Sequence, residues 1–170
     1  MLNWSTRRAH ILLAGVTLIA AAARFYRITT LPPGLHFDEA FENIQALSIL
    51  SGHGYPVFFE GNYGVEPTLI YLIALFYRVF GVSALAGRLI AATVGTLSVP
   101  ALYLLMRTVF LQGTAAPQGD TDAGAGRSAE SRAALVGLLS ASSLALLFWH
   151  VHFSRLGIEP ILVPLNATLM

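Results

Sequence analysis

The sequence has no cysteine and no lysine, and it is short of charge altogether. Without cysteine there are no disulfides and no thiolate metal sites. All ten basic residues are arginine. Charged residues make up 11% of the chain, against ~25% in a typical soluble domain. That scarcity argues against an ordinary soluble domain and against a disordered tail. A net charge of +1 gives no long-range pull on polyanions and argues against a nucleic-acid module. The 170 residues are instead 55% hydrophobic, with a mean hydropathy of +0.66.

The few charges are clustered, and the gaps between the clusters are informative. Fifteen uncharged residues separate Arg8 from Arg24, 18 separate Arg88 from Arg107, and 22 separate Arg132 from Arg155. A membrane span needs ~20 apolar residues. The second and third gaps meet that, and arginines at both ends of the first can snorkel to lengthen it. Spans are therefore expected at about 9–26, 85–106 and 133–153. Arg7, Arg8 and the alanines before Arg24 also fit a secretory signal peptide. The anchor reading is preferred because further apolar segments follow. Pro67 to Tyr77 is only 11 residues long and suits a surface helix over 67–80.

An outer loop over 24–84 is expected to hold five of the nine acids: Asp38, Glu39, Glu42, Glu60 and Glu66. Residues 111–132 are rich in Gly, Ala and Ser and read as a flexible cytoplasmic linker. N-terminal arginines inside would place the first loop outside. The apolar stretch 161–170 resembles the start of a span too short to cross a bilayer. The expectation is an all-α integral membrane fold of about three complete transmembrane helices, juxtamembrane helices and a truncated fourth span. It would form one transmembrane domain, the N-terminal fragment of a larger polytopic protein.

Three groups of residues could carry chemistry. In the first, Pro32, Pro33 and Gly34 impose a turn, and Phe37, Phe41, Ile44, Leu47 and Leu50 then recur at helical spacing. This predicts an amphipathic helix over 37–50 on the outer membrane surface, its apolar stripe buried and Asp38, Glu42 and Gln45 on its polar side. Asp38 either caps that helix, with Glu39 complementing the dipole, or serves as a base or metal ligand. The second group, residues 52–67, alternates aromatics with turn formers. It is either an interfacial belt or a platform for a sugar or polyprenyl chain, with His53, Tyr63 and Glu66 as contacts. The third comprises His150, His152, Arg155 and Glu159. His-x-His on a strand could bind metal, whereas on a helix the two histidines would not share a face. Arg155 suits a phosphate or is an interfacial snorkelling arginine.

Taken in order, these residues resemble the bacterial relatives of the dolichyl-phosphate-mannose protein mannosyltransferases. That family includes the lipid A aminoarabinose transferases and belongs to the GT-C class of integral-membrane glycosyltransferases. Pro32 to Ala40 resembles the family's Asp-Glu motif. Glu66 to Leu72, followed by Phe80-Gly81, resembles its Pro-Pro-Leu-Tyr-Tyr segment, with Glu66 in place of the first proline. Gly87-Arg88-Leu89 with Pro100 to Tyr103, and Phe153-Ser154-Arg155, resemble two further segments. The likeness covers nearly all of residues 10–169.

The resemblance implies transfer of a sugar from a polyprenyl-phosphate carrier to a lipid, glycan or protein acceptor, on the extracytoplasmic face of the inner or plasma membrane. Asp38 would be the base and Glu39 its orienting partner. Arg88 and Arg155 would stabilise the departing phosphate. Some members use a metal and some do not, so a divalent cation stays open; Asp38, Glu39 and Glu159 are the carboxylates that would hold it. Two other classes compete. A transport subunit is disfavoured because the three spans carry no charge in their interiors. A non-catalytic assembly module is the reading if the protein ends at Met170.

Overall fold

The computed structural model describes residues 6–113 and 123–170. These residues form helices and turns, with one isolated antiparallel bridge between Phe59 and Val65 and no strand among them. The helices are α1 (Thr6–Phe25), α2 (Phe37–Leu50), α3 (Thr68–Phe80), α4 (Ala86–Gly113), α5 (Ala123–Leu146), α6 (Phe148–Leu156) and α7 (Leu162–Leu169). A 3-10 turn, Glu159–Ile161, leads into α7.

Helices α1 and α4 are long and apolar enough to cross a membrane. Helices α5 and α6 make a third span if the pair is counted as one, bent by 55°. The expected straight span over 133–153 is thus broken. Leu147 is extended (φ −62°, ψ 117°), with neither Gly nor Pro at the break. The linker expected over 111–132 is also shorter than its composition suggested. Helix α4 runs to Gly113 and α5 starts at Ala123, ten residues before the expected span; the rest of that linker lies outside the described residues. Helix α7 has eight residues.

Helix α4 is the central post, against which α1, α3, α5, α6 and α7 all pack. Two apolar cores are arranged along it. Toward its C-terminal half, Ala9, Ala20, Ala134, Ala141 and Ala145 bring α1, α4 and α5 together. Small residues allow close helix approach where lipid removes the hydrophobic drive to associate. At Gly137 an added Cβ would sit 2.8 Å from the Tyr103 ring. Toward the N-terminal half of α4, the second core joins α2, α3 and the segment entering α7 through Ile49, Leu69, Ile70, Ile73, Ala91 and Ile161. Gly157 adopts φ +63° and presses on the start of α4, where its Cβ would lie 2.6 Å from the Gly87 carbonyl carbon.

Helix α2 sits the other way round from the buried-stripe expectation. Phe37, Ile44, Leu47 and Leu50 are exposed on the protein's outer surface, whereas Glu39, Glu42, Asn43, Ala46 and Ile49 face inward. An outward apolar stripe on a surface helix suits contact with acyl chains.

Candidate functional site

The segment between α1 and α2 is held by guanidinium groups. Arg88, at the first turn of α4, pairs with Glu39 through Nε–Oε1 (2.6 Å) and NH2–Oε2 (3.0 Å). Side-chain exposure is 3% for Arg88 and 0% for Glu39. The remaining donors of Arg88 reach the carbonyls of Ile28 (3.4 Å), Pro32 (2.9 Å) and Gly34. All five N–H groups of Arg88 are therefore used, in the fork geometry that suits carboxylates and clustered oxygens.

Arg155 works the same way from α6. Its NH1 donates to the carbonyls of Ala23 (2.7 Å) and Arg24 (3.2 Å), and its NH2 to those of Tyr26 (2.7 Å) and Leu31 (3.0 Å). These are the carbonyls that a helix C-terminus and the turn after it leave without intrahelical partners. Both arginines expected to hold a phosphate instead clamp backbone. A third arginine, Arg24, is fully buried and braces the α5–α6 break. It donates to the freed carbonyls of Leu144 (3.4 Å) and Ala145 (3.2 Å), to Ala20 O, to Ser154 Oγ (3.2 Å) and to His150 Nδ1 (2.8 Å). Carbonyls released at membrane depth need such donors.

With Glu39 taken, Asp38 is the acid left accessible. The cap of α2 is His36, not Asp38. The His36 Nδ1 accepts from the Asp38 N–H (3.4 Å), and the His36 N–H donates to Glu39 Oε2 (3.2 Å), completing a capping box. The Asp38 side chain is 34% exposed. Its Oδ1 accepts from Asn62 Nδ2 at 2.7 Å, and its Oδ2 lies 3.3 Å from His36 Nδ1. Asn62, His36 and Arg24 were not among the sequence candidates. For Asn62 the available signal was the Gly-Asn-Tyr-Gly turn around it.

Glu42 lies one helical turn from Asp38 and is buried. Its Oε1 accepts from the Glu159 N–H (3.1 Å), and its Oε2 has no hydrogen-bond partner among the described residues. Burial, and then the nearby Glu159 carboxyl, push the Glu42 carboxyl up to about 10, so it is protonated at neutral pH. The structure thus brings Asp38, Glu42 and Glu159 to one end of α2.

It does not bring the other candidates there. His53 and Glu66 are exposed and Tyr63 is wholly so, and no side-chain hydrogen bond links any of them to Asp38. His150 and His152 stand on a helix and diverge. His150 is buried against Arg24, while His152 stacks on Phe148 at 5.7 Å between ring centroids. Among the described residues, no group of three or more His, Asp or Glu side chains could hold a metal ion. Asp38, Glu39 and Glu159 therefore do not assemble into a cation site, Glu39 being committed to Arg88. Comparison with protein-family models, curated proteins and solved structures gives no match.

Proposed function

We propose that the protein transfers a sugar from a polyprenyl-phosphate carrier to a hydroxyl-bearing acceptor at the outer membrane surface, with Asp38 as the general base. The observation that carries this reading is the opposite fate of two adjacent acids. Glu39 is locked in a buried, bidentate ion pair, and Asp38 beside it is about one-third exposed on a helix anchored by that pair. An enzyme needs its base within reach of substrate and on a rigid support.

In the step, the acceptor hydroxyl gives its proton to the Asp38 carboxylate. Its oxygen forms the new bond to the anomeric carbon. The bond from that carbon to the carrier phosphate oxygen breaks, and its electron pair leaves with the phosphate. Arg24 and Arg155 have no carboxylate partner among the described residues. Their charge, unpaired with any acid, adds a positive field around the end of α1, which favours an anionic leaving group on that side. The outward apolar stripe of α2 supports a donor that stays in the membrane.

The test is Asp38→Asn in the full-length protein, reconstituted with a polyprenyl-phosphate-linked sugar. Transfer should fall by about 10²–10⁴, while insertion and thermal unfolding match the wild type. Wild-type turnover in that variant would remove Asp38 from the chemistry and the proposal with it.

A further inference from the structure

Asn62 reaches Asp38 from 24 residues away in the chain, and the loop that carries it is built at some conformational expense. Asn62 has φ +54° and Tyr63 has φ +65°, followed by Gly64 at φ +92°. Asparagine tolerates the left-handed region, but a bulky tyrosine there is an outlier. Such backbone persists only where the surroundings over-determine it, and it concentrates at functional sites.

The surroundings do over-determine it. The Phe59 and Val65 backbones exchange two hydrogen bonds (3.1 and 2.9 Å) and close the loop, with both side chains buried. The Gly64 N–H donates to Gly61 O at 3.1 Å. At Gly61 an added Cβ would lie 2.7 Å from the Phe41 ring, so the loop is pressed against α2 just one turn beyond Asp38. At Gly64 it would lie 2.5 Å from the Phe58 ring. Tyr71 of α3 anchors the loop's approach by donating to Pro56 O at 3.0 Å. Among the described residues, the polar contact that results from the loop tip to α2 is the Asn62–Asp38 hydrogen bond of 2.7 Å.

We infer that Asn62 is a positioning residue for Asp38, and that the 59–65 loop exists in its strained form to deliver that amide. An amide N–H on Oδ1 fixes the carboxylate plane and its orientation. Oδ2 is then the oxygen left to receive a proton. Tyr63, the next residue in the loop, is turned outward with its whole ring exposed. This inference rests on the transferase reading for its kinetic consequence, and on the structure for the contact.

The experiment has two arms, both on the full-length protein in nanodiscs. The first replaces Asn62→Gly, which keeps the left-handed backbone and deletes the donor. The kcat should fall on the order of tenfold with KM held within about twofold. Asn62→Gln, which keeps an amide donor, should recover part of the rate. Wild-type kcat in Asn62→Gly, a loss carried by KM and not kcat, or no recovery in Asn62→Gln would overturn the inference. The second arm is a double-mutant cycle on thermal unfolding with Asn62→Gly and Asp38→Ala, where non-additive shifts are expected. Additive shifts would overturn the positioning whether or not transfer occurs. A wild-type protein that transfers no sugar, with the cycle still coupled, would refute the transferase reading and uphold the contact.

Discussion

Replacing Glu39→Gln should be among the most damaging single changes around α2. The Glu39 carboxylate is fully buried, and it takes two of the five N–H donors of Arg88, at 2.6 and 3.0 Å. Glutamine is nearly isosteric and can still accept one of these. Its NH2 group, however, would face a guanidinium N–H, donor against donor. The positive charge of Arg88 would then be met only by the carbonyl dipoles of Ile28, Pro32 and Gly34. Breaking a buried ion pair by removing one partner costs about 3–5 kcal/mol, a large part of the ~5–15 kcal/mol that holds a domain together. Two assays read this. Denaturant unfolding in detergent gives the global loss. Tryptic cleavage after Arg27, which is exposed in the clamped segment, gives the local one. Cleavage should accelerate by roughly two to three decades where it tracks the open population. The double variant Glu39→Leu with Arg88→Met removes both charges and should recover part of the loss. Recovery stays incomplete because three carbonyls lose their donor. A loss under about 1 kcal/mol in Glu39→Gln, or a double variant as stable as the wild type, would refute the reasoning.

Two further outcomes follow from neighbouring contacts. Glu42 has its carboxyl raised to about 10, so the folded state holds a proton that the unfolded chain releases from about pH 4.5 upward. Its contribution therefore declines as pH rises through that window, by up to about 1.4 kcal/mol per unit. Glu42→Gln should flatten the pH dependence of unfolding between pH 5 and 9, and an unchanged slope would count against a protonated Glu42. Gly95→Ala places a methyl 2.1 Å from Ser154 Oγ, where α4 meets α6. Such overpacking should lower stability by about 1–3 kcal/mol in the same unfolding assay, and a wild-type midpoint would count against the close approach of α4 and α6.

The parts of the fold readable in sequence are those governed by local spacing. The turn at Pro32–Gly34 and the apolar repeat to Leu50 gave helix α2 its limits, Phe37–Leu50. The charge-free gaps located the two long apolar helices. The break at Leu147 was not readable, because no residue at the break announces it. What stabilises it is Arg24, more than 120 residues earlier. The contacts of the arginines were hidden for a related reason. A guanidinium suits phosphates and carbonyls equally well, and spacing along the chain does not reveal that Arg88 meets Ile28, Pro32 and Gly34, or that Arg155 meets four carbonyls around the end of α1. Asp38 was legible as a candidate. Its cap, its amide partner and the burial of its neighbour depend on residues brought in by tertiary packing.

Gly157 touches the start of α4 backbone to backbone. The residue after Gly87 is the arginine that grips the outer segment, and two residues after Gly157 comes the Glu159 N–H that binds Glu42. The N-terminal turns of α2 are thus tied, at Glu39 and at Glu42, to both sides of a single rivet. Any side chain inserted at 157 would pry α4 and α6 apart and shift both ties together. The register of the Asp38 surface against the bundle is therefore set at a point that carries no charge and no side chain.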